Sequence, residues 1–453
     1  MGNIDAIFKA YDVRGLAPEE LDAELSRSIG AAFARFVAEN DGATSIVVGH
    51  DMRPTGPEFS AEFAAGALSQ GVDVIDIGLA STDMMYFASG SLDMPGAVFT
   101  ASHNPAGYNG IKMCLKGAAP LGGDTGLSVI KENARTLLEP NGEPGSLSSR
   151  DMLEDFAQHV LSFIDVSELT PLKIVADTAN GMGGLVGPAV FAHLPFELEI
   201  MYEELDGTFP NHPADPLNEA NLVDLQKRVL EVGADVGLAF DGDADRVFLV
   251  DGNAEGVSGS LTTALVAEQV LHAEPGATIL HNLICSKVVP EVIAENGGTA
   301  VRTRVGHSFI KAVMAETGAA FGGEHSGHYY FRDNWRADSG MIAAAVILAA
   351  MCSSGKSLRD LVAPLRRYRA SGEINTTVAD TNVVIEHIAG VYANASQDRL
   401  DGLTVDCGDW WFSLRASNTE PLLRLNLEAA DDESVAARVA EVQSHMAEAP
   451  QVA

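Results

Sequence analysis

Three short apolar runs recur along the chain and constrain its fold more than any other feature. They are Ser45-Ile46-Val47-Val48-Gly49, Lys173-Ile174-Val175-Ala176-Asp177 and Thr278-Ile279-Leu280-His281-Asn282. Each ends in small or polar residues and leads towards an Ala-rich segment with helical spacing. A strand of this kind followed by a helix is a βα unit, which builds parallel or mixed sheets covered by helices on both faces. Pro- and Gly-rich stretches break the chain at 140–149 and 252–260, and a basic, Pro-containing stretch breaks it at 364–371. The tail reads differently, with strands at 403–407, 411–414 and 422–427 before a helix over about 432–446. The expected fold class is α/β: three similar α/β domains with mixed sheets plus a smaller C-terminal α+β domain. The expected division is 1–145, 146–253, 254–367 and 368–453.

Bulk properties exclude some functions. The chain has 453 residues, 46% of them hydrophobic, which is ample for several cores. Its 63 acids against 29 bases give a formal charge of −34, which disfavours a nucleic-acid partner or an anionic membrane surface. The longest apolar run, 341–352, is too short to span a bilayer and reads as a buried helix. The first nine residues lack a basic region followed by an apolar core, and Ala6 stands where a myristoylation motif needs Ser or Thr. Cys114, Cys285, Cys352 and Cys407 form no C-x-x-C pair and read as buried free thiols of a reducing compartment. A cytoplasmic protein is expected; the oligomeric state is not legible.

Four segments carry chemistry. Asp241-Gly242-Asp243-Ala244-Asp245-Arg246 lies between the apolar 236–240 and 247–250 and reads as a turn joining strands. Unpaired carboxylates this close repel one another, and a hard dication such as Mg2+ relieves the repulsion. An EF-hand is excluded, since Arg246 stands where its sixth position needs Gly and Gly252 where its twelfth needs Glu. A solvated acidic turn is the plain alternative.

Thr100-Ala101-Ser102-His103-Asn104-Pro105 follows a strand ending at Phe99, and Pro105 stops regular structure from continuing. Ser102 is therefore expected on an exposed turn, suited to a nucleophile. No G-x-S-x-G surrounds it, and His103 need not face it because the two are adjacent. Gly110-Ile111-Lys112, just downstream, brings a cation towards the same turn. Gly322-Gly323-Glu324-His325-Ser326-Gly327-His328 reads as a flexible polar loop suited to hydrogen-bonding a polyol, with His available for proton transfer. Arg415-Ala416-Ser417-Asn418-Thr419-Glu420-Pro421 offers a guanidinium fork and short donors, a usual grip on phosphate. Each of these also reads as an ordinary turn, and the 322–328 loop as a metal-binding one.

Together, in this order, the four segments resemble the α-D-phosphohexomutase family, as does Tyr11-Asp12-Val13-Arg14-Gly15 near the start. The likeness runs from Tyr11 to Pro421. The 322–328 loop and Val305-Gly306-His307-Ser308-Phe309 are most similar to the phosphomannomutase/phosphoglucomutase branch. His325 stands where phosphoglucosamine mutases usually carry Gln and dual-specificity enzymes often carry Met.

The resemblance implies four domains around a central cleft, and a phosphoserine enzyme. It implies interconversion of hexose 1- and 6-phosphates, mannose before glucose, through a hexose 1,6-bisphosphate. Ser102 would carry the phosphoryl group. Asp241, Asp243 and Asp245 would hold Mg2+ with an oxygen of that group. Lys112, Arg14 and Arg246 would stabilise the moving phosphoryl, and His328 or Lys112 would move the hydroxyl proton. Glu324 and Ser326 would read sugar hydroxyls. Arg415, Ser417, Asn418 and Thr419, with Arg424, would grip the other phosphate; Lys287, His307 and Tyr11 are further contacts. The net charge would repel sugar phosphates, so these local bases must outweigh it. A phosphoglucosamine mutase, a Mg-dependent sugar-phosphate phosphohydrolase and a non-catalytic sugar-phosphate binder are the alternatives.

Overall fold

The computed structural model describes residues 4–416 and 422–450, and of His307 only the backbone. The three apolar runs form strands Ser45–His50, Lys173–Asp177 and Thr278–Asn282, and each feeds a helix: Gly56–Leu68, Gly183–Phe191 and Val288–Glu295. Ile46, Val47, Ile174, Val175, Ile279 and Leu280 are fully buried, as expected for strands covered on both faces.

The first sheet has seven strands. Ser45–His50 pairs in parallel with Asp73–Leu79 and Gly96–Phe99, and Gly96–Phe99 pairs antiparallel with Tyr108–Leu115. In the second, Lys173–Asp177 is parallel to Glu197–Met201 and Val236–Phe240, and Val236–Phe240 is antiparallel to Val247–Asp251. In the third, Thr278–Asn282 is parallel to Thr299–Thr303 and Phe321–Gly323, and Phe321–Gly323 is antiparallel to Tyr329–Phe331. The fourth sheet is antiparallel throughout and packs helices Thr381–Val391 and Asp432–Ala447. Its pair Trp411–Ala416 and Leu422–Ala429 flanks the Arg415 segment.

All four chemistry-bearing segments thus occupy the same topological place, the connection where a strand turns back antiparallel. Helix Gly340–Ser354 is buried, as the apolar run predicts. Among the described residues no single helix is long and apolar enough to cross a membrane; one bent pair, Gly340–Ser354 with Leu358–Leu365, meets the criterion by length and composition. One apolar cluster runs through the second and third domains and one face of the first, whereas the fourth keeps its own core around Phe412, Leu414 and Leu425.

Some expectations need adjustment. Leu147–Ser149 pairs with Asp73–Leu79, and Gly256–Val257 with Val247–Asp251, so each belongs to the sheet before the expected division. Both are short edge strands in Pro/Gly-rich stretches and carry no apolar run. Strands Arg369–Thr377 and Ser396–Asp398 also went unforeseen, because they are polar and largely exposed. Only Cys114 and Cys285 are buried thiols; Cys352 and Cys407 are half-buried, and all four are free.

Candidate active site

Ser102 stands where the first and second domains meet. Its φ of 49° lies in the left-handed region, and its backbone N–H donates to Thr100 Oγ1 at 2.9 Å. Ser102 is only 4% exposed, which corrects the expectation of an exposed turn. The cover comes from the second domain: Ser102 Oγ donates to Asp241 Oδ2 at 2.7 Å, and Arg246 Nη2 reaches it at 3.3 Å.

Asp241, Asp243 and Asp245 offer oxygens within 4.8 Å of one another, and all three are buried. Arg246 Nε and Nη2 pair with Asp241 Oδ2 at 2.9 and 2.8 Å. Lys112 Nζ lies 2.7 Å from Asp243 Oδ2 and 2.6 Å from Asp245 Oδ2. Thr82 Oγ1 donates to Asp243 Oδ2 at 2.6 Å. Burial pushes the Asp241 carboxyl up to about 7 and raises Asp245. At Asp243 burial acts the same way, but the Lys112 ammonium outweighs it and holds the carboxyl well below the usual range. Lys112 is correspondingly held above its ordinary value despite burial.

A metal fits this triad. Asp243 Oδ1 and Asp245 Oδ1 are buried without a hydrogen-bond partner, an arrangement costly unless a cation supplies what is missing. An all-oxygen donor set suits Mg2+.

One imidazole borders the serine and another the aspartates. His103 Nδ1 is 3.1 Å from Ser102 Oγ, so the adjacent side chains do meet, and it accepts from Arg246 Nη2 at 2.6 Å. Burial, with help from Arg246 and Arg14, presses its pKa down to about 2, so it stays neutral with its proton on Nε2. His328 pairs through its backbone with Arg246. Its Nδ1 is 2.8 Å from Asp338 Oδ2 and 3.8 Å from Asp245 Oδ1. Burial alone would lower its pKa, but the two carboxylates outweigh that and raise it. Arg14 donates to Asn104 Oδ1 at 2.7 Å and to Asp12 Oδ2 at 2.6 Å, tying the N-terminal motif to the serine turn.

The loop expected to be flexible is a tight hairpin turn, because both flanks pair in the third sheet. Glu324 is buried; it accepts from Asn282 Nδ2 and the Gly306 N–H, both at 3.1 Å, and from the Tyr330 hydroxyl at 2.8 Å. Part of its capacity therefore goes to holding the hairpin. Ser326 is half-buried on the same turn. The half-buried Tyr11 comes near Gly306 and feels the charges of Glu324 and Lys112.

In the fourth domain Arg415 and Arg424 stand directly opposite each other on paired strands. Like charges facing across a sheet destabilise it, and an anion between them would reverse the sign. Among the described residues their compensation is weak: Arg415 is 3.8 Å from Asp401, Arg424 is 3.8 Å from Glu373, and the Nε atom of each lacks a hydrogen-bond partner there. Lys287 turns to the fourth domain, donating to Gly408 O at 2.8 Å and lying 3.4 Å from Asp406. Ser417, Asn418, Thr419 and the His307 side chain lie outside the described residues.

The chain matches the four domains of the phosphoglucomutase/phosphomannomutase group: alpha/beta/alpha domain I over residues 5–139, domain II over 154–256, domain III over 258–368 and the C-terminal domain over 373–445. It is 40% identical over 430 residues to the phosphohexose mutases of Xanthomonas campestris pv. campestris, covering 94% of this chain and 95% of theirs. The chain belongs to the phosphoglucomutase/phosphomannomutase family. A Salmonella montevideo phosphomannomutase is likewise 40% identical, over 437 residues and 94% of this chain. Among solved structures, a phosphoglucomutase/phosphomannomutase family protein of Burkholderia thailandensis superposes with a TM-score of 0.90 at 32% identity, covering 98% of this chain and 97% of that one.

Against that family frame, the structure brings Ser102, Lys112, Arg14, Arg246, His328 and the three aspartates to one place. Thr82 and Asp338 join them without having been singled out in the sequence. Thr82 begins helix Thr82–Leu92, and Asp338 directly precedes the N-cap of helix Gly340–Ser354. Neither stands in a local pattern that signals chemistry.

Proposed function

We propose that this phosphohexomutase interconverts hexose 1-phosphates and hexose 6-phosphates, mannose foremost, with Ser102 as the phosphoryl carrier. The carrying observation is the buried Ser102 hydroxyl, between Asp241 at 2.7 Å and Arg246 at 3.3 Å and beside a carboxylate triad with two unpartnered oxygens. In the first half-reaction phosphorylated Ser102 gives its phosphoryl group to the free hydroxyl of the hexose phosphate. The hexose 1,6-bisphosphate turns about, and the group at its other end returns to Ser102. Such transfers depend on positioning and on neutralising charge on the moving oxygens.

Arg246 and Lys112 supply positive charge at that point, and Arg14 fixes the turn through Asn104. The Nδ1–H of His328 faces Asp338, which leaves Nε2 to exchange a proton with the sugar hydroxyl. Asp241, Asp243 and Asp245 would hold Mg2+, which when bound adds charge stabilisation at the phosphoryl oxygens. Arg415 and Arg424 grip the phosphate that is not reacting, while Glu324 and Ser326 read the sugar. Cytoplasmic residence belongs to the same proposal, and the four free thiols support it.

Burial of the serine favours transfer to a sugar over transfer to water. The decisive test is parallel turnover of mannose, glucose and glucosamine 1-phosphates with inorganic phosphate measured alongside. The expected result is 6-phosphate product without phosphate release. Stoichiometric phosphate release would establish the hydrolase instead, and turnover of glucosamine 1-phosphate alone would establish the phosphoglucosamine enzyme. Ser102→Ala is expected to abolish both turnover and the phosphoryl group seen by intact-mass analysis. An alanine variant with full activity would remove Ser102 from the mechanism.

A further inference from the structure

Arg53 is 1% exposed, and both terminal nitrogens of its guanidinium are engaged on one target. Nη1 donates to the carbonyls of Pro105 at 2.9 Å and Tyr108 at 2.7 Å, and Nη2 to those of Ser102 at 2.9 Å and Asn104 at 2.7 Å. All four acceptors belong to the backbone running from the serine turn into the next strand. The arginine is fixed in turn: its backbone N–H donates to Asp51 Oδ1 at 2.9 Å, and Nε lies 3.4 Å from Asp51 Oδ2. Asp51 is anchored by its own N–H to Phe99 O at 2.8 Å, at the end of the strand that leads into the serine turn.

The cover over this group comes from another domain. The Phe209 ring centroid lies 5.2 Å from the Arg53 guanidinium carbon. At Gly207 a Cβ would come within 2.6 Å of Arg53 Cα, so the second-domain turn can seat here only with glycine at that position.

We infer that Arg53 is a positioning residue for the phosphoryl-carrying serine, and that Phe209 couples its hold to the docking of the second domain. Ser102 needs a left-handed backbone that a non-glycine residue rarely adopts, and something must over-determine it. Four carbonyls held by one rigid planar cation do so. They fix the direction of the Ser102 carbonyl and with it the line on which Oγ meets Asp241 and Arg246. Lysine cannot replace this hold, because its three donors radiate from a single atom and do not span four separated carbonyls.

The inference rests on Ser102 being the phosphoryl carrier, so wild-type enzyme is first loaded from hexose 1,6-bisphosphate and weighed intact; failure to load overturns that assignment itself. Given loading, Arg53→Lys is expected to lower kcat, and the rate of Ser102 phosphorylation, by about a hundredfold, as for a misplacement of about 1 Å, with KM within about threefold. In Arg53→Ala, sub-denaturing guanidinium chloride should restore part of kcat where equal sodium chloride does not. A role in folding alone would lower the active fraction and the melting temperature without guanidinium-specific rescue. Should neither variant fold, Phe209→Ala decides, with kcat expected to drop by about tenfold at unchanged KM. Wild-type kcat in Arg53→Lys, a rise in KM alone, or wild-type kcat in Phe209→Ala would overturn the inference.

Discussion

Asp243 shows how much one carboxylate is asked to do. Its Oδ2 receives Lys112 and Thr82 while its Oδ1 has no partner. Asp243→Asn keeps the shape but removes one anionic ligand from a site balancing a dication. Isothermal titration with Mg2+ should show affinity weakened by on the order of tenfold or more, and turnover should fall with it while KM for the sugar phosphate stays near wild type. Wild-type Mg2+ affinity, or activity undiminished in a chelator, would contradict the metal role. The distal pair gives a complementary expectation. Arg415→Ala removes charge-assisted hydrogen bonds worth roughly 1.5–3 kcal/mol. Affinity for hexose 1- and 6-phosphates should therefore fall by roughly ten- to a hundred-fold in both directions, because the bisphosphate presents each end to the clamp in turn. Ser102 phosphorylation should be largely spared. Unchanged KM for both substrates would reject the assignment.

At the scale of elements, the chain repeats one device: a strand ends, a turn carries the chemistry, and the next strand returns antiparallel. The first two such turns touch. A Cβ at Gly242 would meet the Ser102 carbonyl oxygen at 2.4 Å, backbone that cannot yield cheaply. Gly242→Ala should force the serine and metal turns apart, lowering kcat by roughly ten- to a hundred-fold and the melting temperature with it. Wild-type turnover would mean that the contact has slack. Much of this was legible in the sequence. The three buried runs announced βα units by local apolarity; the close carboxylates of DGDADR suggested a cation, while TASHNP read as a plain polar turn until its likeness to the family was added. What escaped depends on contacts between residues far apart in the chain. Ser102 read as exposed because its cover, Asp241, lies 139 residues on. Arg53, Asp338 and Thr82 stand in no motif; only tertiary packing brings Arg53 to the Ser102 carbonyl, 49 residues on, and Thr82 to Asp243, 161 residues on. Strand Arg369–Thr377 is polar and bulged, so neither apolar periodicity nor length betrayed it.

At the scale of the whole molecule, 63 acids face 29 bases, and this surplus sets how the protein should respond to salt. Even if every base were paired, 63 − 29 = 34 acids would lack a partner and repel one another. The folded state holds these charges closer together than the unfolded chain does, so the repulsion opposes folding. Salt acts on two terms of opposite sign. It screens surface ion pairs such as Arg228–Glu199 and Arg399–Glu386, which are individually weak and favourable to folding. It also screens the repulsion among the surplus carboxylates, which acts over many more pairs and longer distances. The screening length falls from about 10 Å at 0.1 M to about 3 Å at 1 M, so the long-range repulsion is lost first. The second term should win. The melting temperature at neutral pH is expected to rise as sodium chloride is added, most steeply at low concentration, and equally with potassium chloride. The rise should shrink as pH falls into the carboxylate range, where protonation removes the surplus without salt. A melting temperature that falls on adding salt at neutral pH would mean that the ion pairs outweigh the repulsion.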